Sequence, residues 1–403
     1  MKRKVIGGLL VIALMFGGFM GVSQYHPEER SITISNNNIE EAEAASEFQV
    51  EAKAAVLMDA GSGTVLFAQN AQEELPPASV TKVMTMLLIL EACEEGRISL
   101  EDTVTVSENA ASMGGSQMYL EPGEQHTVDE LMMGVAMVSA NDGCVALAEH
   151  LSGSVEMFVE KMNSKAAELG MEHSNFVNTN GLPVANHYSS AYDIAIMTRE
   201  LLSHEDSQKW LTNKQEMIQV GLPGKEKDFE LINTNKLLRQ YEGAIGVKTG
   251  FTQDAMYCLS GAAERDGTRL IAVILGAETS AIRFDEAKSL LDYGFSNYAS
   301  VTVAEKGQTK KTVKIDKGAP ASVDAVAEEL CTVLVKKGDE KQIKTKIELN
   351  GTINAPIKKG QQLGELVVYH NGVAKERFPL VAAKAVKNAS VKDLYIRMMK
   401  KIA

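Results

Sequence analysis

A serine and a lysine three residues apart, Ser79 and Lys82, follow Leu75, Pro76, Pro77 and Ala78 and open an apolar, helix-favouring run from Val80 to Ala92. That places Ser79 at a helix N-terminus, an end that carries partial positive charge. Positions i and i+3 share a helix face, so the Lys82 amine can lie over the Ser79 hydroxyl. The chemistry open to such a pair is nucleophilic acyl transfer. A hydroxyl is a weak nucleophile at neutral pH and needs a base beside it. A lysine is a base only when neutral, a state that burial or neighbouring cations impose by lowering its pKa. Two further strings supply polar groups: Ser139, Ala140, Asn141, and then Lys248, Thr249, Gly250. Lys248 can provide the cationic field that acts on Lys82. Each string alone is weak, since a second Ser-x-Asn occurs at Ser35–Asn37 in a polar stretch. The signal lies in the ordered triple.

Other routes to hydrolysis lack their residues. The sequence holds no Gly-x-Ser-x-Gly, no His-Glu-x-x-His and no phosphate-binding loop. Cys93, Cys144, Cys258 and Cys331 form no Cys-x-x-Cys pair and have no histidine cluster nearby, so no metal site is expected. Their wide spacing favours buried free thiols over disulfides. Cys144 follows Asn141 by three residues, but no histidine motif supports it as a nucleophile. No organic cofactor is implied.

The elements that must position these groups start behind an export signal. Lys2, Arg3 and Lys4 precede an uncharged run from Val5 to Val22, which reads as a signal peptide over residues 1–28. Cleavage is favoured over retention as an anchor, although the run approaches the lower limit for a membrane span and the small-x-small site Ala42, Glu43, Ala44 lies well beyond it. Residues 29–46 are polar and rich in Asn, Glu and Ala, a flexible leader, and folding is expected to begin near Phe48. A chain of 403 residues with 45% hydrophobic content suits two or three domains and a sizeable core. Its net charge of −12 is uneven, with 20 Lys and Arg against 11 Asp and Glu in residues 301–403. The acidic front argues against nucleic acid, and the basic tail suits an anionic membrane surface.

Ala54–Met58 and Thr64–Ala68 flank Asp59 to Gly63 and predict a hairpin ahead of Ser79. Helical periodicity then runs from about 100 to 205, at Val128–Val138, Asp142–Leu151, Val155–Leu169 and Ala191–Leu202, which puts Ser139 and Asn141 in a turn between helices. Strand patterns return at Tyr257–Ala263 and Arg269–Leu275, followed by a helix at Ala281–Tyr293. Strands, a helical insert and strands again make an α+β catalytic domain over residues 47–297. Short strand-like runs follow at Val301–Val303, Thr312–Ile315, Thr332–Val335, Ile343–Leu349, Leu366–Tyr369 and Arg377–Val381, with hairpin dipeptides at Asn350–Gly351 and Asn371–Gly372. They predict a small β-sandwich over residues 298–385. In residues 386–403, Val391, Leu394, Tyr395, Met398 and Ile402 recur at helical spacing among Lys392, Arg397, Lys400 and Lys401. Such an amphipathic helix can lie in a membrane interface or dock on its own domain.

The ordered strings resemble the catalytic set of penicillin-recognising serine enzymes. Over roughly residues 48–385 the chain is similar to the D-alanyl-D-alanine carboxypeptidases, low-molecular-mass penicillin-binding proteins that include a sporulation-associated branch. Asn180–Pro183, His187–Ala191, Gly246 and Val247 before the lysine, and Lys358–Gly360 carry the likeness further. The resemblance implies a β-lactamase/transpeptidase-like catalytic domain, a β-sandwich, and a C-terminal helix on the outer face of the cytoplasmic membrane. It also implies removal of the terminal D-alanine from peptidoglycan stem pentapeptides, with β-lactams as covalent inhibitors. Carried onto this chain, Ser79 would attack the peptide carbonyl, Lys82 would accept its proton, and Ser139 would relay a proton to the leaving nitrogen. Asn141 would orient Lys82 or the substrate amide. Lys248, Thr249 and Gly250 would line the substrate strand, the N–H groups of Ser79 and Phe251 would form the oxyanion hole, and Arg283 would sit near the terminal carboxylate.

Two positions depart from the family pattern. Phe251 stands where His or Tyr is common, and Ala255, Met256, Tyr257 replace Ala-Gly-Tyr, which brings a bulky side chain close to the substrate. Three other readings share some of the residues. A class A β-lactamase needs a Glu-x-x-Leu-Asn string, which the sequence lacks. A penicillin-sensing receptor would carry further membrane helices, and none follows residue 22. A non-catalytic wall-binding module would not need Ser79, Lys82, Ser139 and Lys248 intact.

Overall fold

The computed structural model describes residues 49–402 together with Ile39, Ala42 and Glu43. The expected signal peptide and most of the expected leader lie outside the described residues. Strand β1 (Ala54–Asp59) is buried at every position rather than at alternate ones, a pattern that a strand tolerates only when both faces of its sheet are covered. It pairs antiparallel with β2 (Val65–Gln69) in the expected hairpin. The longer helices that follow are α1 (Lys82–Glu94), α2 (Val128–Met137), α3 (Asn141–Ser152), α4 (Val155–Glu168) and α5 (Ala191–Ser203). Side-chain caps set several of their starts. Thr127 and Glu130 exchange bonds in a capping box at α2, and Ser190 caps α5.

Two small two-stranded sheets, one within this stretch and one after α5, were not expected. Strands β3 (Thr103–Thr105) and β4 (Gln125–Thr127) are too short to show a period, and β5 (Gln215–Val220) and β6 (Lys227–Ile232) are mostly exposed, so hydrophobic alternation does not mark them. The chain then returns to the main sheet as β7 (Ala244–Thr252), β8 (Met256–Arg265) and β9 (Thr268–Ala277), giving the antiparallel order β2-β1-β9-β8-β7. Strand β7 is therefore an edge. One face of the sheet, with Val56, Met58, Val273 and Leu275, shares its core with the helical insert. The other face, with Leu57, Leu270 and Ile274, packs on Phe284, Leu290 and Leu291 of α6 (Ser280–Asn297). Each such fully buried side chain contributes about 2 kcal/mol. Ile39 and Ala42 also lie in the first core. Contacts thus begin inside the stretch expected to be a flexible leader, because this i, i+3 apolar pair offers a face that the polar composition around it conceals.

Beyond α6 come β10 (Tyr298–Ala304), β11 (Thr309–Lys314), β12 (Gly318–Ala319), β13 (Ser322–Ala327), β14 (Cys331–Lys336), β15 (Ile343–Leu349), β16 (Gln362–His370), β17 (Val373–Ala382) and β18 (Lys387–Asn388). They form a five-stranded sheet, β11-β13-β17-β16-β15, and the pairs β10-β14 and β12-β18. Val333 and Val335 of β14 pack on Val368 of β16, with Phe378 of β17 alongside, so the β10-β14 pair makes the second layer of a sandwich. Asn371 and Gly372 turn β16 into β17 with positive φ of 52° and 80°. Asn350 and Gly351 instead open a loop that reaches to Gln361, because the facing partner of Leu349 is Gly364. Helix α7 (Val391–Ile402) closes the chain. Among the described residues no helix is long and apolar enough to cross a membrane.

Candidate active site

Residues Ala78–Thr81 form one turn of 3₁₀ helix, and α1 starts only at Lys82. Ser79 sits in this leading turn rather than at the helix cap. The i, i+3 pairing holds: Lys82 Nζ lies 2.8 Å from Ser79 Oγ. The same amine reaches Asn141 Oδ1 at 2.7 Å and the Asn180 main-chain oxygen at 2.8 Å. Lys82 is fully buried. Burial pulls its pKa down to about 8 against the opposing influence of Cys144 and Asp142. Lys248 is buried too, and its pKa falls well below the ordinary lysine value, first through burial and then through the charges of Lys82 and Arg283. The positive charge of Lys82 adds to burial in lowering Lys248, whereas Lys82 itself is lowered by burial alone, so the field expected from Lys248 is not among the causes of its shift.

Close backbone packing fixes the Ser79 turn. A Cβ at Gly250 of β7 would stand 3.1 Å from Ser79 N and 3.0 Å from Pro77 O, and a Cβ at Gly181, whose φ is +83°, would collide with the Ala78 carbonyl oxygen. Thr81 Oγ1 donates to Ala78 O at 2.8 Å and pairs with His187 Nε2 at 2.8 Å. His187 Nδ1 accepts the Val177 N–H at 3.0 Å, which assigns the ring proton to Nε2. Burial lowers this imidazole to about 4 and keeps it neutral. His187 and Asn180 stand out in the sequence only as parts of family strings; their contacts to Thr81 and Lys82 come from the tertiary fold.

The second string spans the turn between α2 and α3 and the first residue of α3. Ser139 adopts a φ of +65°, uncommon for a residue with a side chain. Its buried hydroxyl has no hydrogen-bond partner among the described residues. Asn141 is the first residue of α3, one position inside the helix rather than in the turn. Its Nδ2 donates to Gly114 O at 2.7 Å and its main-chain N–H to Ser116 O at 2.8 Å. The next residue, Asp142, accepts the N–H groups of Met118 at 3.0 Å and Leu120 at 3.2 Å. Asn141 and Asp142 thereby hold the segment 114–120 against the start of α3. Neither Asp142 nor that segment was singled out from the sequence, and the available signal was a carboxylate in the first turn of a helix.

The third string lies on the β7 edge. Lys248 Nζ donates to Thr249 O at 3.1 Å, and Thr249 Oγ1 pairs with Thr234 Oγ1 at 2.9 Å. Phe251 is exposed, with its ring stacked on Tyr257 at 4.4 Å between centroids. Met256 has a φ of +59°, a conformation that suits glycine and that this chain imposes on a bulky residue. Arg283 is buried, and its Nη1 donates to Gly250 O at 2.9 Å and Cys258 O at 3.1 Å. Burial lowers its pKa to about 10. The guanidinium thus braces β7 against β8 through main-chain oxygens, and Nε has no partner among the described residues. All four cysteines are free, with Cys93 partly exposed. Burial pushes Cys144 up to about 11, so the thiol stays protonated beside the lysines. Glu91, Glu200 and His204 are the one group among the described residues close enough to share a cation, but Glu91 is paired with Lys165 at 2.7 Å and His204 with Glu94 at 2.8 Å.

Residues 40–279 match the family described as D-alanyl-D-alanine carboxypeptidase, and residues 298–388 match the C-terminal domain of penicillin-binding protein 5. The chain is 44% identical over 351 residues to the D-alanyl-D-alanine carboxypeptidase DacF of Bacillus subtilis (strain 168), covering 87% of this chain and 90% of that one. It is 36% identical to the D-alanyl-D-alanine carboxypeptidase DacC of Escherichia coli (strain K12), over 84% of this chain and 85% of that one. The crystal structure of penicillin binding protein 5 from Haemophilus influenzae aligns with a TM-score of 0.68 at 33% identity, covering 85% of this chain and 99% of that one.

Proposed function

This chain belongs to the D-alanyl-D-alanine carboxypeptidase family and is a serine carboxypeptidase of peptidoglycan metabolism, and on that footing we propose that Ser79 is its nucleophile and Lys82 the base. One observation carries the assignment. Of the three neighbours of the Lys82 amine, Asn141 Oδ1 and the Asn180 carbonyl can only accept. A neutral amine has two N–H bonds and one lone pair. Satisfying both acceptors turns the lone pair toward the third neighbour, the Ser79 hydroxyl at 2.8 Å, within reach for proton transfer. A pKa of about 8 leaves roughly a tenth of the lysine neutral at pH 7.

As Ser79 Oγ bonds to the carbonyl carbon of the D-Ala-D-Ala peptide bond, its proton passes to Lys82, and the N–H groups of Ser79 and Phe251 receive the oxyanion. The C–N bond breaks as its nitrogen takes the proton that Lys82 gives up, relayed through Ser139, and D-alanine departs, leaving Lys82 neutral again. Water then adds to the ester and gives a proton to Lys82, and Ser79 regains its proton as the shortened peptide leaves. The unpaired Ser139 hydroxyl supports a relay that finds its partner in the substrate. Asn141 orients Lys82 and the acyl amide. Lys248 and Thr249 meet the terminal carboxylate, Gly250 lets β7 approach Ser79, and Arg283 holds that strand while adding positive charge on its side. A β-lactam acylates the same serine.

We also infer that residues 1–28 direct export, that residues 29–46 form a leader to a peptidase domain at 47–297, that a sandwich domain spans 298–385, and that residues 386–403 rest on the outer face of the cytoplasmic membrane. Val391, Tyr395, Ile396 and Met398 of α7 are exposed, which supports contact with a membrane interface, while Arg397 donates to the Gly318 main-chain oxygen of β12 and ties the helix to its own domain. Release of D-alanine from a stem peptide ending in D-Ala-D-Ala tests the central assignment. Ser79→Ala is expected to lower release by roughly 10⁴-fold or more and to abolish penicillin attachment. Undiminished release in the variant would move the nucleophile elsewhere.

A further inference from the structure

Where α1 and α5 end, Glu91, Glu200 and His204 converge, with one donor atom of each within 4.8 Å of the others. Glu91 stands in the last turn of α1, Glu200 in the last turn of α5, and His204 caps α5. A helix C-terminus carries partial negative charge and favours a cation. Neither helix has a lysine or arginine in its last turn, and each has glutamate there instead. No sequence motif announces the group, because only the fold brings α1 and α5 together.

The ion pairs already described do not exhaust these side chains. Lys165 of α4 holds Glu91 Oε1 at 2.7 Å but is shared with Glu168 at 2.7 Å, so Glu91, Glu94 and Glu200 keep the group net negative. The Glu200 carboxylate has no hydrogen bond or ion pair among the described residues. His204 carries the more specific signal. Its Nδ1 lies 2.8 Å from Glu94 Oε1. An ionised carboxylate only accepts, so Nδ1 holds the proton and, in the neutral ring, Nε2 presents a lone pair. Nε2 is buried with no hydrogen-bond partner among the described residues. An imidazole with one nitrogen fixed by a carboxylate and the other left open is oriented as metal-binding histidines are.

We propose that Glu91, Glu200 and His204 Nε2 bind one divalent transition ion of the zinc class, with Glu94 as the support of the imidazole, and that the ion joins the ends of α1 and α5. Mixed imidazole and carboxylate donors suit zinc, whereas magnesium and calcium take oxygen donors. Tetrahedral bonds of about 2.0–2.1 Å set donors about 3.4 Å apart, so the three groups close up by no more than about 1.5 Å on loading and water completes the fourth position. About 14 Å of helix separates Glu91 from Lys82. The ion therefore acts on stability and leaves acyl transfer unchanged.

The full chain, stripped with a chelator and titrated with zinc chloride against a chromophoric competitor, is expected to bind one ion, and saturating zinc to raise Tm by about 5 °C. Glu200→Gln and His204→Ala should each lower zinc affinity by about tenfold or more, and Glu94→Gln by about tenfold. Penicillin acylation by the zinc-free variants should stay within about twofold of the parent. Glu200→Gln removes no contact made within the described residues, so it tests the site even if His204→Ala loosens the fold. No saturable zinc binding by the parent overturns the site. So does one ion held by Glu200→Gln with the parental affinity and the parental rise in Tm, which would place zinc on another group such as the partly exposed Cys93.

Discussion

A lysine buried beside a serine is useful only if it can give up its proton readily, and Lys82 does so because water is excluded from its amine rather than because a single cation repels it. This has a signed consequence for pH. The neutral, basic form gains population as pH rises toward the lysine's pKa and saturates above it. The rate of penicillin acylation should therefore climb about tenfold per unit at low pH and level off above about 8. Lys82→Ala should lower that rate by about 10²–10⁴-fold with an unchanged far-ultraviolet circular dichroism spectrum. A profile that is flat from pH 6 to 9 would remove Lys82 from the role of base.

The turn carrying Ser79 is held from two sides by backbone, through Gly250 of β7 and through Gly181. Thr81 and neutral His187 tie it further to the segment that follows α4. Gly181→Ala combines an unfavourable φ with a collision against Ala78, and is expected to cost about 3 kcal/mol or more and to slow acylation. Gly153 makes an informative contrast. It shares a positive φ, at +81°, but no atom lies within 4 Å of where its Cβ would stand. Gly153→Ala should therefore cost only about 1 kcal/mol and leave acylation unchanged. Thermal unfolding of the two variants, with penicillin acylation rates alongside, checks both statements, and equal Tm shifts would show that packing around Gly181 adds nothing.

At the level of the whole molecule, charge and apolar exposure are divided along the chain. The excess of Lys and Arg over Asp and Glu in residues 301–403 includes Lys392, Arg397, Lys400 and Lys401 of α7, whose apolar positions Val391, Tyr395 and Met398 stay exposed. Such a helix should hold the full chain on vesicles that contain anionic lipid and release it as salt rises. Changing Lys392, Lys400 and Lys401 to Glu is expected to weaken that binding by at least tenfold without altering penicillin acylation. Binding that ignores both lipid charge and these substitutions, measured by vesicle sedimentation, would exclude the electrostatic part of the attachment.

Features set by near neighbours are legible in the sequence itself. The i, i+3 relation of Ser79 and Lys82, the turn at Asn371–Gly372, and the bodies of helices such as Ala191–Ser203 depend on periodicity, caps and turn chemistry within a few residues. The family resemblance extends this to the ordered strings. The tertiary structure alone decided the rest. The acceptors that orient the Lys82 amine come from residues 59 and 98 positions away. The inward placement of Arg283 depends on carbonyls 33 and 25 positions away. The low pKa of Lys82 arises from burial beneath several elements at once, and the exposed β5–β6 hairpin carries too little apolar alternation to announce itself. Burial and hydrogen-bond satisfaction are sums over groups brought together from distant parts of the chain, so local pattern could name the residues proposed to react but not the environment around them.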